Sequence, residues 1–386
     1  MNTAVIVDAV RTPIARASAD KGTFRDIRSE DLSAEIVRAL IARTGIDPGG
    51  IDDLRWGCVQ QQGEQGFNLA RIVALVADLP VSVAGVTVNR NCGSSMQAIH
   101  DAAAAIAAEY ADIQVVGGVE HMDHIPMNKD YSPCPSLLRR HSEAMMNMGL
   151  TAEFVARKYR IARDRQDAFA YRSHRLAAEA TRRGDFAREI VPIWGRDESG
   201  RKTSIRVDQC IREDTSPEAL AALAPAFDPA GGSVTAGNSS PLNVGAAGLL
   251  MMAEATANRL GLAPLAKVRS VGVVGVDPEE MGIGPVPAIR KALARAGLAL
   301  DDVEVIEINE AFAVQVLACC DLLSLDPQRV NRRGGSIAIG HPLGASGARI
   351  ATTCLHRMRA EGARFGLAAM CIGQGQGIAT LFEAIA

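Results

Sequence analysis

Val88-Asn89-Arg90-Asn91-Cys92-Gly93-Ser94-Ser95-Met96-Gln97 is the stretch whose reading decides the fold. Before it, Val81 to Val88 is an apolar, β-branched run and reads as a strand. After it, Gln97 to Tyr110 is rich in alanine and reads as a buried helix. Cys92 therefore falls on a strand-to-helix turn. There the free N–H groups and the positive end of the helix dipole favour a thiolate. Gly93 permits close backbone approach to whatever Cys92 reacts with. These are the surroundings a nucleophilic cysteine needs, and they favour a nucleophile over the alternative of a buried, inert cysteine at a helix start.

Working outward, strands and helices alternate. Thr3 to Asp8 reads as a strand, Asp31 to Thr44 as a helix, Leu54 to Gln60 as a strand and Leu69 to Ala77 as a helix. Ile113 to Val119 follows as another strand. The pattern predicts an α/β sheet with helices packed on it. From His121 the character changes: prolines and methionines appear, then two charged helices (Thr151 to Tyr159, Arg163 to Arg183), a polar hairpin at Gly195 to Arg206 and turn-forming Pro225 to Pro229. This segment reads as an excursion out of the sheet, a lid or loop domain. Gly245 to Leu260 then reads as an apolar helix with Asn243 as its N-cap.

Beyond that point the chain repeats itself. Ala39 to Gly45 matches Ala292 to Gly297, Asp52-Asp53 matches Asp301-Asp302, and the Cys92 helix with its following strand matches Gly347 to Met358 and Gly366 to Ile372. Matches in order, about 250 residues apart, indicate two halves of one fold. The expected organisation is an N-terminal half over residues 1–120, completed by 243–263, a loop domain over 121–242 and a C-terminal half over 264–386. Their active site is expected between the sheets, where strands end in glycine turns.

The composition is that of an ordinary globular protein, 48% hydrophobic and 22% charged. A net charge of −3 argues against nucleic acid as a partner. The eight cysteines form no C-x-x-C pair and no metal-ligand spacing, so no metal site is expected and a reducing compartment is the default. No signal peptide is visible at the start of the chain, and no run reaches the roughly 18 apolar residues of a membrane helix. A cytoplasmic protein is expected.

Three further stretches carry chemistry. Gly334-Gly335-Ser336-Ile337-Ala338-Ile339-Gly340-His341-Pro342-Leu343-Gly344-Ala345-Ser346-Gly347 holds His341 in a glycine-rich loop ahead of a helix, a place for a general base. His100, His174 and His356 lie within helical runs and read as structural. Cys371-Ile372-Gly373-Gln374-Gly375-Gln376-Gly377 follows a strand directly, and its alternate glycines leave N–H groups open to an oxyanion. Cys371 reads equally as a second acid/base and as a buried strand-end cysteine. Asn309-Glu310-Ala311-Phe312-Ala313 joins the strand Val305 to Ile308 to a helix. Asn309 suits orientation of a water or an imidazole, although an Asn before a helix is more often a cap.

Taken together these four motifs, in this order and spanning nearly the whole chain, resemble the thiolase family. Trp56 to Gln61, Glu120-His121-Met122, Met148 to Glu153 and Met281 to Ala288 resemble its bacterial fatty-acid-oxidation branch. The resemblance implies a fold of two duplicated α/β halves forming a layered αβαβα core with an inserted loop domain. It implies an acyltransferase that cleaves 3-ketoacyl-CoA with CoA, as in fatty-acid β-oxidation. A biosynthetic acetoacetyl-CoA thiolase and a non-catalytic CoA-binding subunit are the alternatives.

Position by position, Cys92 matches the family's nucleophile, His341 the base that deprotonates it, and Cys371 the acid/base that handles the acetyl-CoA enolate. Asn309 matches the residue that fixes a water, forming one oxyanion site with His341. The N–H groups of Cys92 and Gly373 match the other. Arg212 matches a CoA phosphate contact, Ser240 a contact to the pantetheine arm, and Met148 and Phe312 pocket walls. The resemblance implies acyl-CoA and CoA as ligands, no metal or redox cofactor, a homodimer or higher oligomer, and a possible complex with an α subunit carrying hydratase and dehydrogenase activities. Three positions depart from the family's pattern: Val244 stands for a usual Asp, Arg333 for a usual Asn and Ala224 for a usual basic residue.

Overall fold

Strand–helix alternation governs the chain, as the sequence pattern predicts. The computed structural model describes residues 2–385 except Asn128. Met1 and Ala386, the outermost residues of the expected halves, lie outside the described residues. In chain order the strands are β1 (Ala4–Arg11), β2 (Ala15–Arg16), β3 (Asp53–Gly57), β4 (Ala84–Val88), β5 (Ile113–His121), β6 (Ile193–Arg196), β7 (Lys202–Ile205), β8 (Asn243–Ala253), β9 (Ala266–Gly275), β10 (Val305–Ile308), β11 (Phe365–Ile372) and β12 (Gln376–Glu383). The helices are α1 (Ser29–Thr44), α2 (Leu69–Val76), α3 (Ser94–Ala107), α4 (Pro135–Leu138), α5 (Met148–Tyr159), α6 (Arg163–Arg183), α7 (Pro217–Ala221), α8 (Glu254–Arg259), α9 (Pro285–Ala296), α10 (Ala313–Leu323) and α11 (Ser346–Glu361).

The sheet order β10-β11-β12-β9-β1-β8-β5-β3-β4 exposes the duplication. Outward from β1 come β8, β5, β3 and β4. Outward from β9 come β12, β11 and β10, and a single bridge from Ile306 to Val330 stands where a last strand would be. The orientations match as well: β3–β5 and β10–β11 are parallel, while β5–β8 and β11–β12 are antiparallel. The halves meet where β1 pairs with β9 through Val5–Lys267 and Ile6–Ala266.

Core packing follows from this arrangement. Strand residues alternate between faces, so consecutive residues of one strand enter different cores. Val5 and Val7 of β1 join α1 and α2. Ala4 and Ile6 join α3 and α11. On β11, Leu367, Ala369 and Cys371 join α9 and α10, whereas Ala368, Met370 and Ile372 join the α3/α11 core. Helices thus cover both outer faces and fill the space between the two halves of the sheet, giving the expected αβαβα layers.

The stretch read as an apolar helix, Gly245 to Leu260, is instead strand β8 followed by the short α8, and Asn243 is not a helix cap. All eleven residues of β8 are buried. A strand buried on both faces has no period-two signature and cannot be told from a buried helix by pattern alone. β9 and β12 had no assignment from the sequence. β3 ends at Gly57, short of the expected Gln60, because the N–H groups of Val59 and Gln60 leave the ladder for the Glu120 carboxylate (3.0 and 3.1 Å). β4 starts at Ala84 rather than Val81, after a turn in which Val83 N–H donates to the Pro80 carbonyl.

Residues between β5 and β8 carry α4 to α7 and the β6–β7 hairpin, where the sequence predicts a polar hairpin. A buried ion pair ties this segment to the end of β1: Arg11 meets Glu189 and Asp208, both at 2.7 Å. Among the described residues no helix is long and apolar enough to cross a membrane.

Candidate active site

Two loops of corresponding position in the two halves reach one place. One carries Cys92 into α3. The other carries His341 into α11. The helix starts touch: Ala348 N–H donates to Ser95 Oγ at 2.9 Å.

Cys92 sits on a tight turn in which Asn91 takes φ +44°, a left-handed conformation that Asn tolerates better than most residues. Asn91 Nδ2 donates to the Gly373 carbonyl at 3.2 Å, joining the turn to the end of β11. Gly93 also lets this junction pack closely. A Cβ there would stand 2.5 Å from Ile372 Cδ1. The N–H groups of Gly373 and of Cys92 itself point at the Cys92 sulfur and favour its charged form. Burial outweighs them and pushes the thiol up to about 11, with the Glu120 carboxylate adding to the rise. The helix start is where the sequence places it, yet desolvation prevails and Cys92 rests as a thiol.

Cys371, at the end of β11, is buried. Burial pushes its thiol up first, and the proximity of Cys92 adds to it. The two sulfurs therefore share one site. Of the glycines after Cys371, Gly373 alone has its N–H on the Cys92 sulfur. Gln374 and Gly375 turn the β11–β12 hairpin, and Gly377 pairs with Cys371 across it. Met148, at the start of α5, closes the site on this side. Its Sδ is 3.4 Å from where a Cβ on Gly373 would be.

His341 is buried and fixed on every side. Its N–H donates to Asn243 Oδ1 at 2.7 Å, and Asn243 Nδ2 donates to the Ala15 carbonyl at 2.9 Å. Asn243, expected to cap a helix, anchors the histidine loop to the N-terminal half. Gly340 precedes His341 with φ +124°, and a Cβ there would lie 2.6 Å from Ile14 Cγ2 and 2.7 Å from Asn243 Cγ. Ser346 Oγ donates to the Pro342 carbonyl at 2.8 Å and accepts from His341 Nδ1 at 2.6 Å. That network assigns the proton to Nδ1 and leaves the Nε2 lone pair free. Burial, with Arg349 as a second cause, lowers the imidazole to about 3, so it rests neutral.

Asn309 Nδ2 lies 3.4 Å from His341 Nε2. Its Oδ1 accepts from Ser336 Oγ at 2.6 Å, so the amide group faces the histidine. Asn309 caps no helix: α10 starts four residues later, after Phe312.

Glu120, at the end of β5, joins the histidine loop to the segment that follows β3. Its carboxylate accepts from the N–H groups of Val59, Gln60 and Gly344 and from Gln65 Nε2, at 2.8–3.1 Å. Four donors around one carboxylate is the pattern of its ionised form. Burial raises its pKa against these bonds. Sequence reasoning overlooked Glu120, Asn243, Ser346 and Ser336 as site residues. Ser346 was in view, five residues after His341 in the same motif.

The remaining expected positions spread outward. Phe312 is buried and meets Phe227 edge-on at 6.1 Å. Ser240 lies beside it, its N–H on the Ala311 carbonyl at 3.0 Å. Arg212 is exposed and away from the sulfurs. His174 Nδ1 accepts its N–H at 3.1 Å. His100 and His356 are structural, bonded to Thr380 and the Ala9 carbonyl. Of the departures, Arg333 donates to the Asp185 carbonyl at 3.1 Å and so ties the histidine loop to the segment after α6. Val244 is a buried β8 residue in the N-terminal core. Nothing in the structure explains Ala224.

Glu64, His121 and His124 have ligand atoms within 4.8 Å of one another, an arrangement able to hold a metal. Their lone pairs are committed, however. His121 Nδ1 accepts from His124 N–H, and His124 places Nδ1 on Glu64 and Nε2 on the Arg25 carbonyl. Two acceptors around His124 require its imidazolium form. Burial opposes the charge, and these bonds overcome it, raising its pKa.

A thiol, a neutral imidazole with a free lone pair and inward N–H groups in a duplicated α/β fold describe a site for acyl transfer through a thioester. Comparison with known proteins agrees. Residues 4–255 match the thiolase N-terminal domain and residues 262–384 the thiolase C-terminal domain. The chain belongs to the thiolase family. It is 54% identical to 3-ketoacyl-CoA thiolase of Aliivibrio fischeri, over 99% of this chain and 100% of that one. It is equally 54% identical to 3-ketoacyl-CoA thiolase of Escherichia coli O139:H28, over 100% of both. The crystal structure of Bacillus anthracis acetyl-CoA acetyltransferase superposes with a TM-score of 0.91 at 38% identity, covering 100% of this chain and 99% of that chain.

Proposed function

We infer that this chain is an acyltransferase that cleaves 3-ketoacyl-CoA with CoA, yielding acetyl-CoA and a shortened acyl-CoA in fatty-acid degradation. The observation that carries this reading is the junction of Cys92, Cys371 and the Gly373 N–H with the His341–Asn309 pair at the starts of α3 and α11. Full-length 54% identity to 3-ketoacyl-CoA thiolases supports the degradative reaction over the biosynthetic one, which is represented here at 38% identity.

The chemistry follows from the resting protonation states. His341 Nε2 takes the Cys92 proton as the sulfur attacks the 3-keto carbon. The carbonyl oxygen becomes an oxyanion beside inward N–H donors. Its collapse breaks the bond between C2 and C3, leaving an acyl thioester on Cys92 and the enolate of acetyl-CoA. The Cys371 thiol protonates C2, and acetyl-CoA departs. The CoA thiol then gives its proton to the Cys371 thiolate and attacks the acyl carbon. Acyl-CoA leaves, and Cys92 recovers its proton from His341. Because thiol and imidazole both rest neutral, proton transfer accompanies attack instead of preceding it. The chemistry requires no metal or redox cofactor.

Arg212 and Ser240 are assigned to the phosphate and pantetheine portions of CoA, and Met148 and Phe312 to the acyl pocket. The 121–242 segment is assigned as the lid between the halves 1–120 with 243–263 and 264–386. Cytoplasmic location, a dimer or larger assembly, and an α-subunit partner with hydratase and dehydrogenase activities belong to the same reading. Replacement Cys92→Ala tests it: thiolysis of 3-ketoacyl-CoA and alkylation at that position are both expected to vanish, and full activity would refute the assignment. Rates across four-carbon to sixteen-carbon substrates separate the two reactions, a steep preference for four carbons favouring acetoacetyl-CoA.

A further inference from the structure

Behind the His341–Asn309 pair stands a side chain the reaction above does not use. Arg349, on the first turn of α11, is 1% exposed. Its Nη2 donates to Ser336 Oγ at 2.7 Å, and Ser336 Oγ donates on to Asn309 Oδ1 at 2.6 Å. Its other two nitrogens, Nε and Nη1, have no hydrogen-bond partner among the described residues. Carboxylates lie nearby, yet none pairs with it. Glu307 of β10 pairs with Arg357 at 2.6 Å, and Glu189 gives Oε1 to Arg11 while its Oε2 has no partner among the described residues. Glu310 accepts from Ser173, Asn331 and the Ile337 N–H. Among the described residues no carboxylate oxygen comes within ion-pair distance of Arg349. A buried guanidinium with a single hydrogen bond is costly, and folds retain such groups where the charge has a use.

We propose that Arg349 is a positioning residue for the acyl transfer: through Ser336 it holds the Asn309 amide toward His341, and its uncompensated charge favours oxyanions on that side of the site. This rests on the roles given above to His341 and Asn309. With Ser336 donating to Oδ1, Asn309 has one orientation, and the donor end faces His341. The positive charge also discourages protonation of His341.

The test uses the full-length enzyme with three substitutions. Ser336→Ala breaks the relay and keeps the charge. Arg349→Lys keeps the charge and loses the fork geometry. Arg349→Gln removes the charge. Thiolysis is measured as kcat and KM for CoA from pH 3 to pH 9, in brief assays that outrun acid unfolding, together with the pH dependence of Cys92 alkylation. Ser336→Ala is expected to lower kcat by roughly tenfold to hundredfold, as misorientation of a reacting group does, with KM for CoA within about twofold and the acid limb unmoved. Arg349→Gln is expected to move the acid limb upward by about one unit, the effect of removing a nearby like charge, and Arg349→Lys to restore it. If Arg349→Gln does not fold, Ser336→Ala decides the positioning role and Arg349→Met, closer in volume, takes its place for the charge. Wild-type kcat in folded Ser336→Ala, or an acid limb indifferent to charge at position 349, overturns the proposal. An active Cys92→Ala in the same assay would instead overturn the functional reading beneath it.

Discussion

Replacing Ser346 by alanine removes the group that holds the proton of His341 on Nδ1. The bond is short, 2.6 Å, and wholly buried. Its loss leaves the Nδ1–H without an acceptor, which costs about 1–3 kcal/mol in a buried site. The alternative tautomer escapes that penalty but points an Nε2–H toward Asn309 Nδ2, itself a donor 3.4 Å away. Neither form is then comfortable, and the productive one loses its advantage. Each 1.4 kcal/mol or so of lost preference lowers the reactive population tenfold, so kcat is expected to fall about tenfold to hundredfold. The Pro342 carbonyl keeps a partner in the Ala345 N–H at 3.0 Å, so the fold is expected to survive with a stability loss within the same 1–3 kcal/mol or so. Steady-state thiolysis, alkylation of Cys92 and chemical denaturation measure the three quantities. A folded Ser346→Ala enzyme with wild-type kcat and alkylation rate would refute the view that tautomer control makes His341 the base.

Other substitutions probe the frame. Gly340→Ala forces a Cβ at φ +124° into Ile14 and Asn243, and a roughly hundredfold loss of kcat is expected from the displaced histidine; unchanged kinetics would contradict the packing. Glu120→Gln exchanges acceptor for donor against N–H groups of the segment after β3 and of the histidine loop. Loss of about two charge-assisted bonds, each about 1.5–3 kcal/mol, is expected to destabilise the fold measurably in urea. Removing the carboxylate also lowers the Cys92 pKa, which the pH dependence of alkylation reads directly. Burial leads the causes that hold His100 and His341 near about 3, and His121 and His174 near about 4, all below the unfolded value. Their contribution is present above about pH 6.5 and is lost as pH falls, up to about 2 kcal/mol per histidine at pH 5. His124, raised, acts in the opposite sense. A lower urea midpoint at pH 5 than at pH 7 is expected, and a higher one would contradict the assignment of neutral histidines.

Much of this site was legible because its chemistry is local. Cys92, His341 and Cys371 each lie at a strand or loop end marked by glycines, Asn309 lies at the end of β10, and periodicity places those ends well. α6 and β10 run over the residues their patterns predict. β8 was misread for a physical reason: burial on both faces erases alternation, and Ala, Leu and Met suit either state. That error also disguised Asn243, whose role depends on pairing with a loop 98 residues away. Glu120 and Arg349 were invisible for a related cause. A buried charge looks like any surface charge in sequence until the donors around it converge from distant segments. The Cys92 environment shows a further limit. The helix start was readable, while the burial that outweighs it is a property of the assembled layers.

The central claim is that an acyl group rests on Cys92 between two half-reactions. Brief incubation with a 3-ketoacyl-CoA in the absence of free CoA, followed by acid quench and peptide mass analysis, observes it directly. One acyl group, shortened by two carbons, is expected on the peptide containing Cys92 and is expected to disappear on addition of CoA. An unmodified Cys92 in enzyme that is turning over, or an acyl group on Cys371 instead, would contradict the account.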